Sequence, residues 1–215
     1  MPKSPITVTP PPGRAQAARA TEPDRHPIIF SAVAALARAN GMDRKVLSYG
    51  CSAGFEPLSL ADYVPDADVL GVDIHPAAIA QARINTADHP RVRIAASKPD
   101  VILRAGPFGS IFAMSVLCRW PDTKDQTSIA DIWPFGEFEA HIQLLDAALA
   151  PGGILALYNT AYNFRDTDAA ARYEVVEDEP VSRLAVKQRV KRFDRDGVYR
   201  ASPMTDCIFI KRGTQ

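Results

Sequence analysis

The sequence predicts an α/β protein on a Rossmann-like, mostly parallel sheet, and three observations carry that reading. The first is the unit from Lys45 to Asp73. Apolar Val46 and Leu47 are followed by the small-residue turn Gly50-Cys51-Ser52-Ala53-Gly54, a helical stretch over 57–61, and a second apolar run, Val69-Leu70-Gly71-Val72, ending on Asp73. Strand, glycine turn, helix and acid-terminated strand in that order form the unit that binds nucleoside cofactors. The second is the regular exchange of short apolar runs with helical periodicity after Asp73. The third is the tight turn Pro151-Gly152-Gly153 leading from a helical pattern into Ile154-Leu155-Ala156-Leu157-Tyr158.

The chain has 215 residues, enough for one α/β domain with a sizeable core. Residues 1–22 contain Pro2, Pro5, Pro10, Pro11 and Pro12 and read as a mobile tail, with a flap over the active site as the functional alternative. Residues 23–215 read as the folded domain. Asp24 and Pro27 open a first helix in which Ile29, Val33 and Leu36 recur at helical spacing, and Gly41 closes it. After the cofactor-type unit, Pro76 opens a helix to Asn85, with Ile79 and Ala82 inward. Val92, Ile94 and Ala96 alternate as a third strand, and residues 110–114 form a fourth.

Residues 121–134 are a polar loop. Trp120, Trp133, Phe135 and Phe138 read either as the wall of a substrate pocket or as the rim of the core. The helix over 137–149 sets Phe138, Ile142, Leu145 and Leu149 on one face, with His141 one turn beyond Phe138. Residues 154–158 are the fifth strand. Beyond it Asn159, Tyr162, Asn163 and Arg165 are polar groups able to orient a substrate, and Asp166 or Thr167 caps a short helix to Tyr173. Residues 174–180 are acidic and residues 185–193 read as a basic strand. Asp194-Arg195-Asp196-Gly197 makes a turn, and residues 207–210 form the last strand.

Composition narrows the function. Lys plus Arg and Asp plus Glu balance at 25 each, so net charge supplies no electrostatic case for an obligate nucleic acid or an acidic membrane. The 3 cysteines lie far apart with no C-x-x-C pair. This points to free thiols in a reducing cytoplasm and to neither a disulfide framework nor a metal site. No apolar run reaches the length of a membrane span.

The first turn has three readings. It does not match the dinucleotide pattern G-x-G-x-x-G. It does fit the nucleophile-elbow pattern G-x-S-x-G, with Ser52 as nucleophile. A hydrolase also needs an acid and then a histidine late in the chain, and the histidines that follow, His75, His89 and His141, do not sit after a late strand. The third reading is a resemblance. Val46 to Gly54, with Gly71-Val72-Asp73, resembles the first two motifs of class I S-adenosylmethionine-dependent methyltransferases, V-L-D-x-G-C-G-x-G and V-x-G-V-D. Ser48 replaces the strand acid and Ser52 the middle glycine. Both changes, with Cys51, resemble the variant S-x-G-C-S-x-G-E-E-x-Y-S of chemotaxis-type protein-glutamate methyltransferases. Glu56 and Ser59 keep their places there, while Phe55 and Leu58 depart. Leu149-Ala150-Pro151-Gly152-Gly153 resembles a further motif of the same class.

The resemblance implies a seven-stranded sheet with an antiparallel last strand, helices on both faces, and S-adenosylmethionine as cofactor. It implies that Gly50, Cys51, Ser52 and Gly54 form the cofactor turn, with Cys51 a small buried residue of it. Glu56 would meet the amino group, Asp73 the ribose with Ile74 beside it, and Ser97 or Ser115 the adenine or methionine end. For an acceptor that needs a base or an anchor, Tyr162, His141 and Arg119 are the candidates. For His141 and Arg119, a packed side chain and a surface ion pair are the alternative readings. A carboxylate or thiolate acceptor needs no base, because transfer from a sulfonium is governed largely by positioning. The expected partner is a small-molecule or protein acceptor. An inactive cofactor-binding or regulatory protein on the same fold is the competing reading.

Overall fold

The computed structural model describes residues 22–186, 190–201 and 205–213. The first-read tail over 1–22 therefore lies, but for its last residue, outside the described residues. Pro at the first helical position starts α1 (Pro27–Ala39), α3 (Pro76–Asn85) and α4 (Pro99–Ala105) alike, where a missing N–H costs nothing. In chain order these combine with β1 (Lys45–Tyr49), α2 (Phe55–Tyr63), β2 (Asp68–Asp73), β3 (Val92–Ala96), β4 (Phe108–Met114), α5 (Phe135–Ala148) and β5 (Leu149–Tyr158). Two short 3-10 turns (Phe164–Asp166 and Asp168–Arg172) then lead to β6 (Tyr173–Val175), α6 (Glu179–Val186), β7 (Arg192–Phe193), β8 (Tyr199–Arg200) and β9 (Ile208–Lys211).

Seven strands form one sheet in the order β3-β2-β1-β4-β5-β9-β6. All neighbouring pairs are parallel except that β9 runs antiparallel to both β5 and β6. Alternate side chains feed two cores, as the two-residue period of a strand requires. Leu47, Tyr49, Ile111, Ala113, Leu155 and Leu157 face α5, while Val46, Phe112, Met114, Ile154, Ala156 and Tyr158 face α1. The strand run reverses direction between β1 and β4. At such a switch point the flanking connections leave on opposite faces and open a crevice at the carboxyl ends of the strands.

Two expectations need correction. Residues 185–193 are not one strand: Ala185 and Val186 end α6, residues 187–189 lie outside the described residues, and only Arg192–Phe193 is extended. The alternating basic residues mimicked a strand. The helix before them is set by Val181 and Ala185, one turn apart and both buried, and by Asp178, whose side chain accepts from the Val181 N–H at 3.0 Å. Nor does the 194–197 turn lead from a basic strand of the main sheet toward the last strand. It joins β7 and β8, which form a separate two-stranded sheet. The sixth strand is β6, inside the stretch that begins the acidic run. Its short sequence is held by β9 and by a contact between Glu174 and Arg212 at 3.2 Å.

Candidate functional site

The first turn folds as close backbone packing demands. The N–H groups of Gly50 and Cys51 both donate to the Val72 carbonyl, at 2.8 and 2.9 Å, which bends the chain sharply off β1. Gly50 takes φ +83°, and a Cβ there would run into the side chain of Val116 beyond β4. Gly54 takes φ +88° as the residue that caps the start of α2. Cys51 is buried, and burial first, with the nearby Asp73 and Glu56 charges, pushes its thiol far above the usual range. It is a packed residue, as expected, and unsuited to nucleophilic work.

Asp73 closes this turn from the next strand. Its two carboxylate oxygens accept from the Ser52 N–H at 2.9 Å and the His75 N–H at 2.8 Å, and its carbonyl accepts from the Ser97 N–H at 2.8 Å. Ser52, Asp73 and Ser97 are thereby brought to one edge. Ile74, next in chain, is 47% exposed, an apolar surface at the mouth of the crevice. Glu56, in the first turn of α2, reaches back to β1, where its carboxylate accepts from the buried Ser48 hydroxyl at 2.7 Å. A carboxylate from the helix thus stands beside position 48. Burial raises the Glu56 carboxyl to about 8, against opposing contributions from Ser48 and Arg25.

The other half of the edge is built by β4 and β5. Ser115 and Asn159 leave these strands with φ +58° and +54°, and the Asn159 amide donates to the Ser115 hydroxyl at 2.9 Å. Arg119 takes φ +50° and lies 3.4 Å from Asp122. Four of the five described non-glycine residues with positive φ, Ser52, Ser115, Arg119 and Asn159, stand in the loops at this edge. Strained backbone of this kind persists where the surrounding structure over-determines it, and it concentrates at binding sites. In the sequence Asn159 is only one of several polar residues, because a left-handed conformation leaves no mark there when the residue is not glycine.

The candidate bases are placed elsewhere. Tyr162 is fully buried and its hydroxyl donates to the Trp133 carbonyl at 2.6 Å; burial, then the Asp194 and Glu137 charges, raises its phenol. The hydroxyl of Tyr49 and Nδ1 of His141 are 2.7 Å apart, and burial lowers the imidazole to about 4. Burial also raises the Tyr49 phenol, with a hydrogen bond to Ser97 opposing it. Trp133, Phe135 and Phe138 pack with Tyr162 in the core under α5, so three of the four aromatics are core and not pocket wall. Trp120 stays partly exposed, with the Lys124 ammonium 5.6 Å from its ring centre.

Two features of the edge escaped the sequence reading. Residues 24–26 form a strap: the Asp24 N–H donates to Ser59 at 2.9 Å, Tyr63 donates to Asp24 at 2.9 Å, and the His26 ring lies 4.9 Å from that of Tyr158. Across the site, the β7–β8 hairpin is fastened to the loop after β4. The Ile129 N–H donates to the Gly197 carbonyl and the Tyr199 N–H to the Thr127 carbonyl. A Cβ on Gly197 would stand 2.7 Å from the Ala130 nitrogen, so glycine is required for this approach.

Residues 46–134, which contain the turn, Asp73, Ser97 and the end of β4, match the family model described as "Methyltransferase domain". Over this stretch the chain is similar to a methyltransferase domain. The cofactor of such a domain is S-adenosylmethionine, and the donor set here fits it: a glycine turn open to close approach, a carboxylate at the end of β2 and an acid at the start of α2. Solved structures share the fold. WbdD, in co-crystal with a kinase inhibitor, is similar at 19% identity, with 91% of this chain and 42% of that chain covered and a TM-score of 0.53. Monomeric WbdD is similar at 18% identity, with 91% and 42% covered and a TM-score of 0.53. An amino pentose methyltransferase of Micromonospora echinaspora, involved in calicheamicin biosynthesis, aligns at 22% identity over 72% of this chain and 58% of its own, with a TM-score of 0.45. The chain thus spans between about two fifths and three fifths of the length of these three structures. No curated protein matches it in sequence. Among the described residues no helix is long and apolar enough to cross a membrane.

Proposed function

We propose that this protein transfers a methyl group from S-adenosylmethionine to a small-molecule or protein acceptor, and that the acceptor group is already nucleophilic, of which a carboxylate is the foremost case. The observation that carries the reading is the pinned turn: Asp73 holds the Ser52 and His75 N–H groups, beside the half-buried Ser97 and Glu56. When bound, the cofactor supplies a methyl group on a sulfonium, activated for displacement. Gly50, Ser52 and Gly54 let the backbone approach it. Asp73, with Ile74 beside it, receives the ribose; Glu56 receives the amino group; Ser97 and Ser115 line the adenine and methionine ends. Asn159 holds the Ser115 hydroxyl in place.

The carboxylate reading rests on where the candidate bases lie. Tyr162 and His141 point their polar atoms into the core, and Arg119 lies near Asp122. An acceptor that must lose a proton is poorly served by these groups, whereas a carboxylate needs only to be held in line. The resemblance of Ser48 to Ser59 to the chemotaxis-type motif points the same way. Residues 23–215 act as the domain, with 1–22 as a tail, in the reducing cytoplasm; the wide spacing of the three cysteines along the sequence, with no C-x-x-C pair, supports that setting.

Calorimetric titration with S-adenosylmethionine and S-adenosylhomocysteine tests the cofactor site. Asp73→Ala is expected to weaken both by roughly 10- to 100-fold, the effect of losing hydrogen bonds to a charged group. Transfer of labelled methyl groups to carboxylate acceptors should yield products that release methanol in mild alkali. Alkali-stable products would overturn the carboxylate assignment and leave the cofactor site standing. Unaltered affinity in Asp73→Ala would remove Asp73 from the site.

A further inference from the structure

We propose that Tyr49, held by His141, is a positioning residue of the cofactor site, and that it fixes the direction in which Ser97 presents its hydroxyl to the bound cofactor. This role rests on the reading above that Ser97 lines the cofactor, and adds to it a support that the sequence motif does not contain: Tyr49 stands at the unspecified position of V-L-D-x-G. It is the last residue of β1 and leads straight into Gly50. Its side chain lies on the α5 face of the sheet and is 3% exposed. There its hydroxyl is 2.7 Å from Nδ1 of His141, which is equally buried, and the two rings meet edge to face with centroids 5.9 Å apart. The same hydroxyl is hydrogen-bonded to the side chain of Ser97, half-buried just beyond β3. In the strand order β3 is two positions from β1, roughly 10 Å at ordinary strand spacing, so the phenol links across the end of β2, the strand that carries Asp73. Ser97 is thus pinned twice, because its N–H also donates to the Asp73 carbonyl.

The two bonds of the phenol constrain each other. A phenol has one hydrogen and gives it to one neighbour, so its oxygen accepts from the other. Fixing the bond to His141 therefore fixes the sense of the bond to Ser97. Burial lowers the imidazole to about 4 and raises the phenol, so both groups are neutral near pH 7. A buried polar chain whose members satisfy one another is rigid. A serine hydroxyl left to itself rotates among several rotamers, and a ligand that binds it must order it. Ser97 tied to Tyr49 is ordered before the cofactor arrives, which lowers the cost of binding. Tyr49 and His141 already satisfy each other as a packed pair, and the third bond is what turns that pair toward the cofactor edge.

Calorimetry of S-adenosylhomocysteine binding reads this role. Ser97→Ala should weaken binding about tenfold, and Tyr49→Phe, which keeps the ring and removes the hydroxyl, about fivefold, the scale of single hydrogen bonds. The deciding measurement is Tyr49→Phe in two further backgrounds. Combined with Ser97→Ala it should cost nothing more, to within about 1.5-fold, because the two residues act as one. Combined with Ser115→Ala, across the switch point on the β4 side, it should still cost about fivefold, because those residues act separately. His141→Phe keeps the ring contact and removes the Nδ1 partner of the phenol. It should show the same pattern, and it carries the test if Tyr49→Phe does not fold. Thermal melts report folding. An equal loss in every background, or no loss in a folded Tyr49→Phe protein, would overturn the role of Tyr49 and leave the cofactor site standing. Wild-type affinity in Ser97→Ala would remove Ser97 from the site and overturn the role with it, and the Asp73→Ala titration then decides whether the cofactor reading survives. No binding to the wild type would overturn both.

Discussion

His26 stands at the entrance to α1, its ring packed between Phe30 and Tyr158, and makes no side-chain cap to the helix. Burial first, and the Arg25 charge second, lower its imidazole to about 4 from an ordinary value near 6.5. The unfolded chain therefore binds a proton between these values that the folded chain refuses. Stability is full above about pH 6.5 and is lost as pH falls toward 4. His141 carries the same sign, whereas Glu56, raised in the folded state, carries the opposite one and stabilises the unliganded protein as pH falls from 8 to 4.5. His26→Phe keeps the ring stack and removes the titration, so its melting temperature should drop less than that of the wild type between pH 7 and pH 5. Parallel losses in the two proteins would show that His26 does not titrate in this window.

Among the elements, α5 is tied to the far edge of the sheet through Asp146. Arg172 and Tyr173 donate to its carboxylate at 2.6 and 2.8 Å, and the Lys211 ammonium lies 3.2 Å away. Burial alone would raise this carboxyl, but the two hydrogen bonds and the Lys211 and Arg172 charges outweigh it and hold the acid low. Asp146→Ala leaves Lys211 half-buried beside the helix end and should cost about 2–3 kcal/mol, somewhat less than breaking a fully buried pair. Denaturant unfolding reads this directly, and the difference from wild type should shrink as the medium becomes acidic enough to protonate Asp146. Elements with strong local signals were legible in the sequence. The helix expected from Pro76 to about Asn85 is α3 (Pro76–Asn85), and β1 to β3 follow their apolar runs. The pieces that escaped are those whose partners lie far away in the chain. α4 has seven residues and one fully buried side chain, Ile102, and β6 is extended because β9 pairs with it. At the candidate site, the turn at Gly50 and Gly54 was legible because its positive φ demands glycine. The packed reading offered for His141 is what the structure shows, whereas the interior position of Tyr162 was not legible, since a phenol reads the same whether its hydroxyl meets solvent or a buried carbonyl.

At the scale of the whole molecule, the two sides of the switch point hold different parts of the proposed reaction. In that reading the loops after β1 to β4 hold the cofactor, and the β7–β8 hairpin, fastened across the 127–130 loop, walls the side from which an acceptor would come. This division predicts separable damage. Gly197→Val puts a side chain against the Ala130 backbone at a residue with φ +74° and should loosen the hairpin. Affinity for S-adenosylhomocysteine is expected to stay within about twofold of wild type, while methyl transfer falls by tenfold or more, an effect of misplacing an acceptor. Equal loss of both would show that the wall also shapes the cofactor half.

The position of β9 bears on how the protein is made. It enters the sheet between β5 and β6, two strands that precede it in the chain. During synthesis β5 is completed while one flank of it has no neighbour, and β6 has nothing to pair with until residues 208–211 arrive. A nascent chain stalled or clipped after α6 would present an apolar strand edge, Ile154 to Tyr158, of the kind that recruits other chains. Such a fragment would hold β1 to β5 almost complete and still expose the edge most prone to aggregate.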